Sequence, residues 1–217
     1  MATEMSIQAA FQEVMAASGE IPPKQQQVLT ASLALFAEQG FANTTTKQIA
    51  ERAGVAEGTV YRRYKTKDEL LAAVLAPFTT EVLPKLVKEF AAKVVRQKYT
   101  TRHALITAVI TDRLAFLQDN SQVMRVLVTE LLVRTDLREQ FLARAVPMVQ
   151  ANLYPILDQL KAVQELPDWP NDRIAQFMIG TMVSQFIRSS FTAEPVATVG
   201  PLMIQFLEQG LAPEPTA

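Results

Sequence analysis

No stretch of this chain alternates apolar and polar residues with the period of two that a half-buried strand requires, and no Asn-Gly or Asp-Gly pair is present to close a hairpin. Apolar residues recur instead at three- and four-residue spacing almost from end to end. That pattern admits an all-α fold and little else. Helices are expected over about 5–17 (Ile7, Phe11, Val14 and Met15 on one face), from Lys24 to Gly40 (Val28, Ala31, Leu35, Phe36), from Thr45 to about Ala53, and over about 57–63. Long amphipathic helices follow at about 67–76, 78–97, 102–118, 121–133, 137–163, 171–190 and 196–209. The expected breakers are Gly19 with Pro22-Pro23, Pro77, Tyr99-Thr100-Thr101, Asp119-Asn120, Asp136, Pro167 to Pro170 and Glu194-Pro195. This predicts an arm or short helix over 1–23, a three-helix unit over 24–70 and a helical bundle over 71–217, with a disordered tail from Pro213 to Ala217.

Local signals sharpen the N-terminal part. Gly40 is expected as a left-handed cap, with Phe41 folding back on Phe36 in a Schellman ending. Thr45 and Gln48 have capping-box spacing. Gly54 then supplies a tight turn, and a second short helix follows. Two short helices joined by a glycine turn are the helix-turn-helix arrangement. Ile49 and Val60 suit its interior, the small Ala50 and Ala53 permit a close crossing, and Val55 points the turn inward. Glu57, Gly58, Thr59, Tyr61, Arg62 and Arg63 are left on the outer face, where a short helix held by its neighbours can enter a major groove.

Charge is distributed to match. The chain carries a formal charge of −1, yet the segment from Lys24 to Lys67 has seven bases against three acids and is +4, leaving −5 for the remainder. One part of the chain suits a polyanion. The absence of cysteine removes disulfides and thiolate metal sites. No apolar run is read as reaching the ~18–20 residues of a membrane span, and no base precedes Lys24 to start a secretory signal. A cytoplasmic protein without a membrane partner is expected.

Residues 24–70, and in particular LFAEQGFANTTTKQIAERAGVAEGTVYRRYKTKDEL, resemble the DNA-binding domain of the tetracycline-repressor (TetR) family. Phe36, Gly40, Phe41, Thr44, Thr45, Ile49, Ala50, Ala53-Gly54-Val55, Gly58-Thr59-Val60-Tyr61 and Lys67 carry the register. The resemblance implies that Thr45, Thr46 and Lys47 meet the DNA backbone, with Lys47 within reach of a base. It gives Thr59 and Tyr61 phosphates or a thymine methyl, gives Arg62 and Arg63 bases or phosphates, and gives Lys67 a phosphate. The chain departs from the family pattern in two respects. Ala56 stands where a capping hydroxyl is usual, and Arg62-Arg63 replace the usual aromatic positions.

The same resemblance places an effector pocket and a dimer contact in 71–217. Phe78, Met124, Phe141, Met148, Tyr154, Phe177 and Met178 are the candidates for the pocket. Ile174, Thr181, Met182, Phe186, Leu202, Met203 and Phe206 are those for a four-helix dimer interface, with Gly180 and Ser184 allowing close approach. Residues of these types at helical spacing also serve as ordinary core. Pro147 and Pro155 free the carbonyls of Ala143 and Ala151, and kinks are expected there. Modest charge in these helices favours an apolar or aromatic effector. His103 is the single histidine, expected at the surface or as a cap. With no glycine-rich phosphate loop and no paired carboxylates, neither an enzyme, a metal nor a cofactor is expected. The expected function is a ligand-responsive homodimeric repressor bound to a double-stranded DNA operator; the alternative is a helical adaptor that keeps the fold without specific DNA binding.

Overall fold

The structure is a computed structural model that describes residues 6–192 and 194–214. The first residue of the expected helix at 5, and residues 215–217 of the expected tail, lie outside the described residues. Among the described residues there are helices and connecting turns and no strand. The helices are α1 (Ile7–Ala17), α2 (Pro23–Gln39), α3 (Thr46–Ala53), α4 (Glu57–Arg63), α5 (Lys67–Pro77), α6 (Leu83–Phe90), α7 (Arg102–Asp119), α8 (Ser121–Val133), α9 (Thr135–Ala162), α10 (Asn171–Thr192) and α11 (Gly200–Gly210). Five-residue π-helical turns, Phe78–Val82 and Ala91–Val95, flank α6, and a 3-10 turn, Val196–Val199, precedes α11.

The chain divides into two compact units: the residues up to Val87 with Asn120–Ala145, and Lys88–Asp119 with the residues from Val146 onward. This partition does not follow the expected boundary at 70/71. The reason is packing: α2 lies against α3, α5 and α8, so α8 shares a core with the helix-turn-helix. That core holds Leu29, Phe36, Ile49, Val60, Leu70, Leu71, Val123 and Leu127. Of the two readings of the N-terminal segment, the short helix is the one observed. α1 buries Ile7, Ala10, Phe11, Val14 and Met15. It is capped by the Ser6 hydroxyl, which accepts from Ala9 N at 3.1 Å, and pinned by Ile7 N donating to the buried Asn120 Oδ1 at 2.7 Å.

One expected breaker, Pro77, does not break its helix, and another, Asp136, lies two residues past a break that falls at Arg134. Pro77 removes one amide, but the helix widens into a π turn closed by Leu83 N donating to Phe78 O. The Thr79 and Thr80 hydroxyls donate to Ala76 O at 3.0 and 3.1 Å. The two hydroxyls thus satisfy the Ala76 carbonyl beside the widened turn. The resulting continuous helix from Lys67 to Val95 is long and apolar enough by composition to cross a membrane, contrary to the sequence reading. Leu70, Leu71, Val74, Leu75, Phe78 and Val82 on it are buried in the protein itself. Asp136 likewise sits in the first turn of α9 rather than before it, and α9 runs unbroken through Pro147 and Pro155.

In the second unit α7 packs against α11, the 3-10 turn and α10. A Cβ on Gly200 would meet Leu114 Cδ1 at 3.4 Å, which brings α11 close to α7. The buried Asp112 carboxylate is paired with Lys93 and Arg113, and the Arg113 guanidinium lies over the Phe90 and Phe116 rings at 4.2 and 4.6 Å. His103 is on the surface, 3.1 Å from the Glu208 carboxylate.

Candidate nucleic-acid interface

The site is built by two short helices and the turn between them. α3 opens with a full capping box: the Thr45 hydroxyl accepts from Gln48 N, and the Gln48 side chain accepts from Thr45 N at 2.9 Å. It closes at Gly54, whose φ of 66° and ψ of 33° are left-handed. Gly54 N donates to Glu51 O and Val55 N to Ala50 O at 3.0 Å, the two bonds of a Schellman motif. The motif assigned to Gly40 therefore belongs here. Gly40 has φ 83° but an extended ψ of 156°, and its amide makes a single bond, to Phe36 O. The expected aromatic contact is present nonetheless, with Phe36 and Phe41 edge to face at 5.2 Å.

α4 follows with no side-chain cap at Ala56, although that residue has the extended backbone of a capping position. Val60 is buried and holds the helix down. Glu57, Gly58, Arg62 and Arg63 are exposed, Thr59 is half-buried, and Tyr61 is 49% exposed. A Cβ on Gly58 would meet nothing within 4 Å, so the backbone there is open to a close-approaching partner. From α3, Lys47 projects into solvent, while the Thr46 hydroxyl donates toward the Tyr61 hydroxyl at 2.9 Å and the Glu57 carboxylate at 3.2 Å. Those contacts fix Tyr61 and Glu57 against α3 before any ligand arrives.

Lys67, expected at a phosphate, is here held by the protein's own loop. Its ammonium donates to Phe41 O, Ala42 O and Thr44 O at 2.7, 3.1 and 3.0 Å and sits 4.4 Å from the Phe41 ring centre. All three of its donors are engaged in holding the loop between α2 and α3. Arg52 is held too, by two parallel 2.9 Å bonds to Glu38. Hydrogen bonding to Arg52 keeps the Glu38 carboxyl below the usual range. One feature of this region was missed in the sequence. Thr66 and Glu69 repeat the Ser/Thr-x-x-Glu spacing, with the Thr66 hydroxyl accepting from Glu69 N and Glu69 accepting from Lys65 N.

Residues 28–74 match the family model for bacterial regulatory proteins of the tetR family. Those residues are a tetR-family domain. The chain is 41% identical over 54 residues to YvkB, an HTH-type transcriptional regulator of Bacillus subtilis, a match covering 25% of this chain and 29% of that one. The chain spans between 29% and 43% of the length of the first curated relatives it matches. Two solved structures share the fold over most of the chain. FadR from Bacillus subtilis in complex with stearoyl-CoA aligns with a TM-score of 0.64 at 17% identity, covering 85% of this chain and 98% of that one. SmeT, the repressor of the Stenotrophomonas maltophilia multidrug efflux pump SmeDEF, aligns with a TM-score of 0.60 at 22% identity, covering 89% and 94%.

Outside the tetR-family domain, the candidate pocket residues fall in both units. Phe78, Met124 and Phe141 are in the first, Phe78 being buried; Met148, Tyr154, Phe177 and Met178 are in the second. Met178 is buried, whereas its neighbour Phe177 is 50% exposed and rests against Trp169, so the two do not share a face. The candidate dimer residues also separate. Ile174, Met182, Phe186 and Met203 are buried within their own unit, and Thr181 is half-buried. Leu202 and Phe206 are exposed at 67% and 63%. The outer apolar residues of α10 are Phe177, Ile179, Val183, Ile187 and Phe191, with the exposed Gly180 and Ser184 among them.

Proposed function

We propose that this chain is a transcriptional repressor of the TetR type, a cytoplasmic homodimer that binds a double-stranded DNA operator through α3 and α4. The observation that carries the reading is the pre-set outer face of α4. Tyr61 is fixed by Thr46, Arg62 and Arg63 are exposed, and the open backbone at Gly58 lets the helix approach closely. In a two-fold dimer two such helices fit successive major grooves about one turn apart. Lys47, Arg62 and Arg63 supply phosphate or guanine contacts, Thr45, Thr46 and Thr59 the shorter backbone contacts, and Glu57 an acceptor for a cytosine amino group. The exposed apolar residues of α10 and α11 supply the second copy's contact.

Release by a small apolar or aromatic effector, without enzymatic chemistry, completes the reading. Its support is the apolar character of residues 71–217 and the fold shared with a regulator solved with stearoyl-CoA. An effector moves the dimer off DNA only to the extent that it binds the two arrangements with different affinity.

The test is fluorescence anisotropy of the full chain on DNA upstream of its own coding sequence, over a salt series. Sequence-selective binding that weakens steeply with salt is expected. Arg62→Ala and Tyr61→Ala are each expected to cost about 1–3 kcal/mol of binding. Equal, weak binding to random DNA, unaltered in both variants, would sink the reading.

A further inference from the structure

We propose that a backbone phosphate of the bound DNA seats in the cleft between the start of α2 and α4, held by Lys24, Gln25 and Arg63 over the Tyr64 hydroxyl. The proposal rests on the DNA-binding reading and extends it to residues of α2 that the recognition surface above does not include.

The cleft has a volume of about 290 Å3 and is lined on one side by Lys24 and Gln25 and on the other by Thr59, Arg62, Arg63 and Tyr64. Three cations line it and no carboxylate does. Lys24, Arg62 and Arg63 are exposed, so each can turn toward a ligand at little conformational cost. Tyr64 is the unusual member. It is buried, 7% exposed, and its hydroxyl makes no hydrogen bond of normal geometry. The polar groups that face it are Gln25 and Arg63, both in the same cleft, and burial pushes its phenol above the usual range against their influence. A buried hydroxyl without a good partner costs free energy. One at the floor of a basic cleft gains a partner when an oxyanion enters between Gln25 and Arg63.

Backbone amides contribute little here. Pro23 has none, and the amides of Gln25 and Gln26 already donate to Pro22 O at 2.8 and 3.0 Å. Recognition therefore falls to side chains. Thr59, Arg62 and Arg63 also lie on the helix that meets the groove, so an anion in this cleft sits beside the groove wall. A DNA phosphate is the anion delivered there.

The test uses the full chain, a random-sequence duplex and the upstream duplex, each over a salt series. Lys24→Gln is expected to lower the slope of log affinity against log salt by about 0.9 for each Lys24 engaged, equally on both duplexes, because a phosphate contact reads no sequence. Tyr64→Phe keeps the ring in the core and is expected to weaken binding about fivefold on both duplexes, with urea stability unchanged or raised. An unchanged salt slope for Lys24→Gln overturns the phosphate seat, whatever Tyr64→Phe does. Failure of the unmodified protein to bind either duplex at low salt overturns the DNA-binding reading itself and the seat with it.

Discussion

Lys67 shows how a residue in full register with a family pattern can owe its place to the fold. Residue type and position suggested a phosphate contact. What the sequence does not display is that the chain between Gly40 and Thr45 turns three carbonyls toward one point, because that depends on the backbone path around a glycine at φ 83°. An ammonium has three donors, and this one finds three acceptors. Lys67→Met keeps the stem and removes the charge, leaving those carbonyls without their donor. Unfolding in urea should show a loss of about 2 kcal/mol, in the range for hydrogen bonds to a charged group. A variant as stable as the parent but defective on DNA would instead return Lys67 to the phosphate role. The capping residues were legible for the opposite reason. Thr45 with Gln48 acts over three residues, so the spacing alone contains the geometry.

At the scale of the element, helices were readable where the signal was local and misread where it was shared with a neighbour. The spans of α3 and α4 follow from a capping box, a glycine turn and one buried valine. Pro77 reads as a helix end because a proline removes an amide and clashes with the preceding turn. The two threonines and the widened turn that accommodate it become visible only in three dimensions. The uncapped α4 is the element most open to improvement. Ala56 already has φ −68° and ψ 140°, and the Thr59 amide already donates to Ala56 O at 2.8 Å, so a serine there needs no backbone change to accept from the Gly58 amide. Ala56→Ser should raise the stability of the full chain by about 1 kcal/mol, read as a higher urea midpoint at unchanged slope. A neutral or lower midpoint would show that the first turn of α4 is already satisfied in another way.

Across the whole molecule, the limit of sequence reading lies in α10, which is apolar nearly all round. Ile174, Met178, Met182 and Phe186 face the core, while Phe177, Ile179, Val183, Ile187 and Phe191 face out. Periodicity locates an apolar stripe but cannot say which of two adjacent stripes belongs to a partner, since burial by the same chain and by a second copy select the same residue types. The solvent-facing stripe of a single chain settles which residues are available. Five exposed apolar residues along one helix are more than scattered surface residues account for, and Leu202 and Phe206 on α11 are exposed as well. In a two-fold interface each substitution occurs twice. Val183→Glu with Phe206→Glu therefore places four carboxylates in the proposed contact while leaving each chain's own core intact. Sedimentation velocity should show a folded monomer with unchanged helical circular dichroism, and operator affinity should collapse because the two half-sites are no longer held together. Met182→Glu alters the buried stripe instead and should lower thermal stability by itself, through a buried unpaired charge. If the double variant sediments as the parent dimer, the contact lies on another face and the paired-helix arrangement over the operator fails with it.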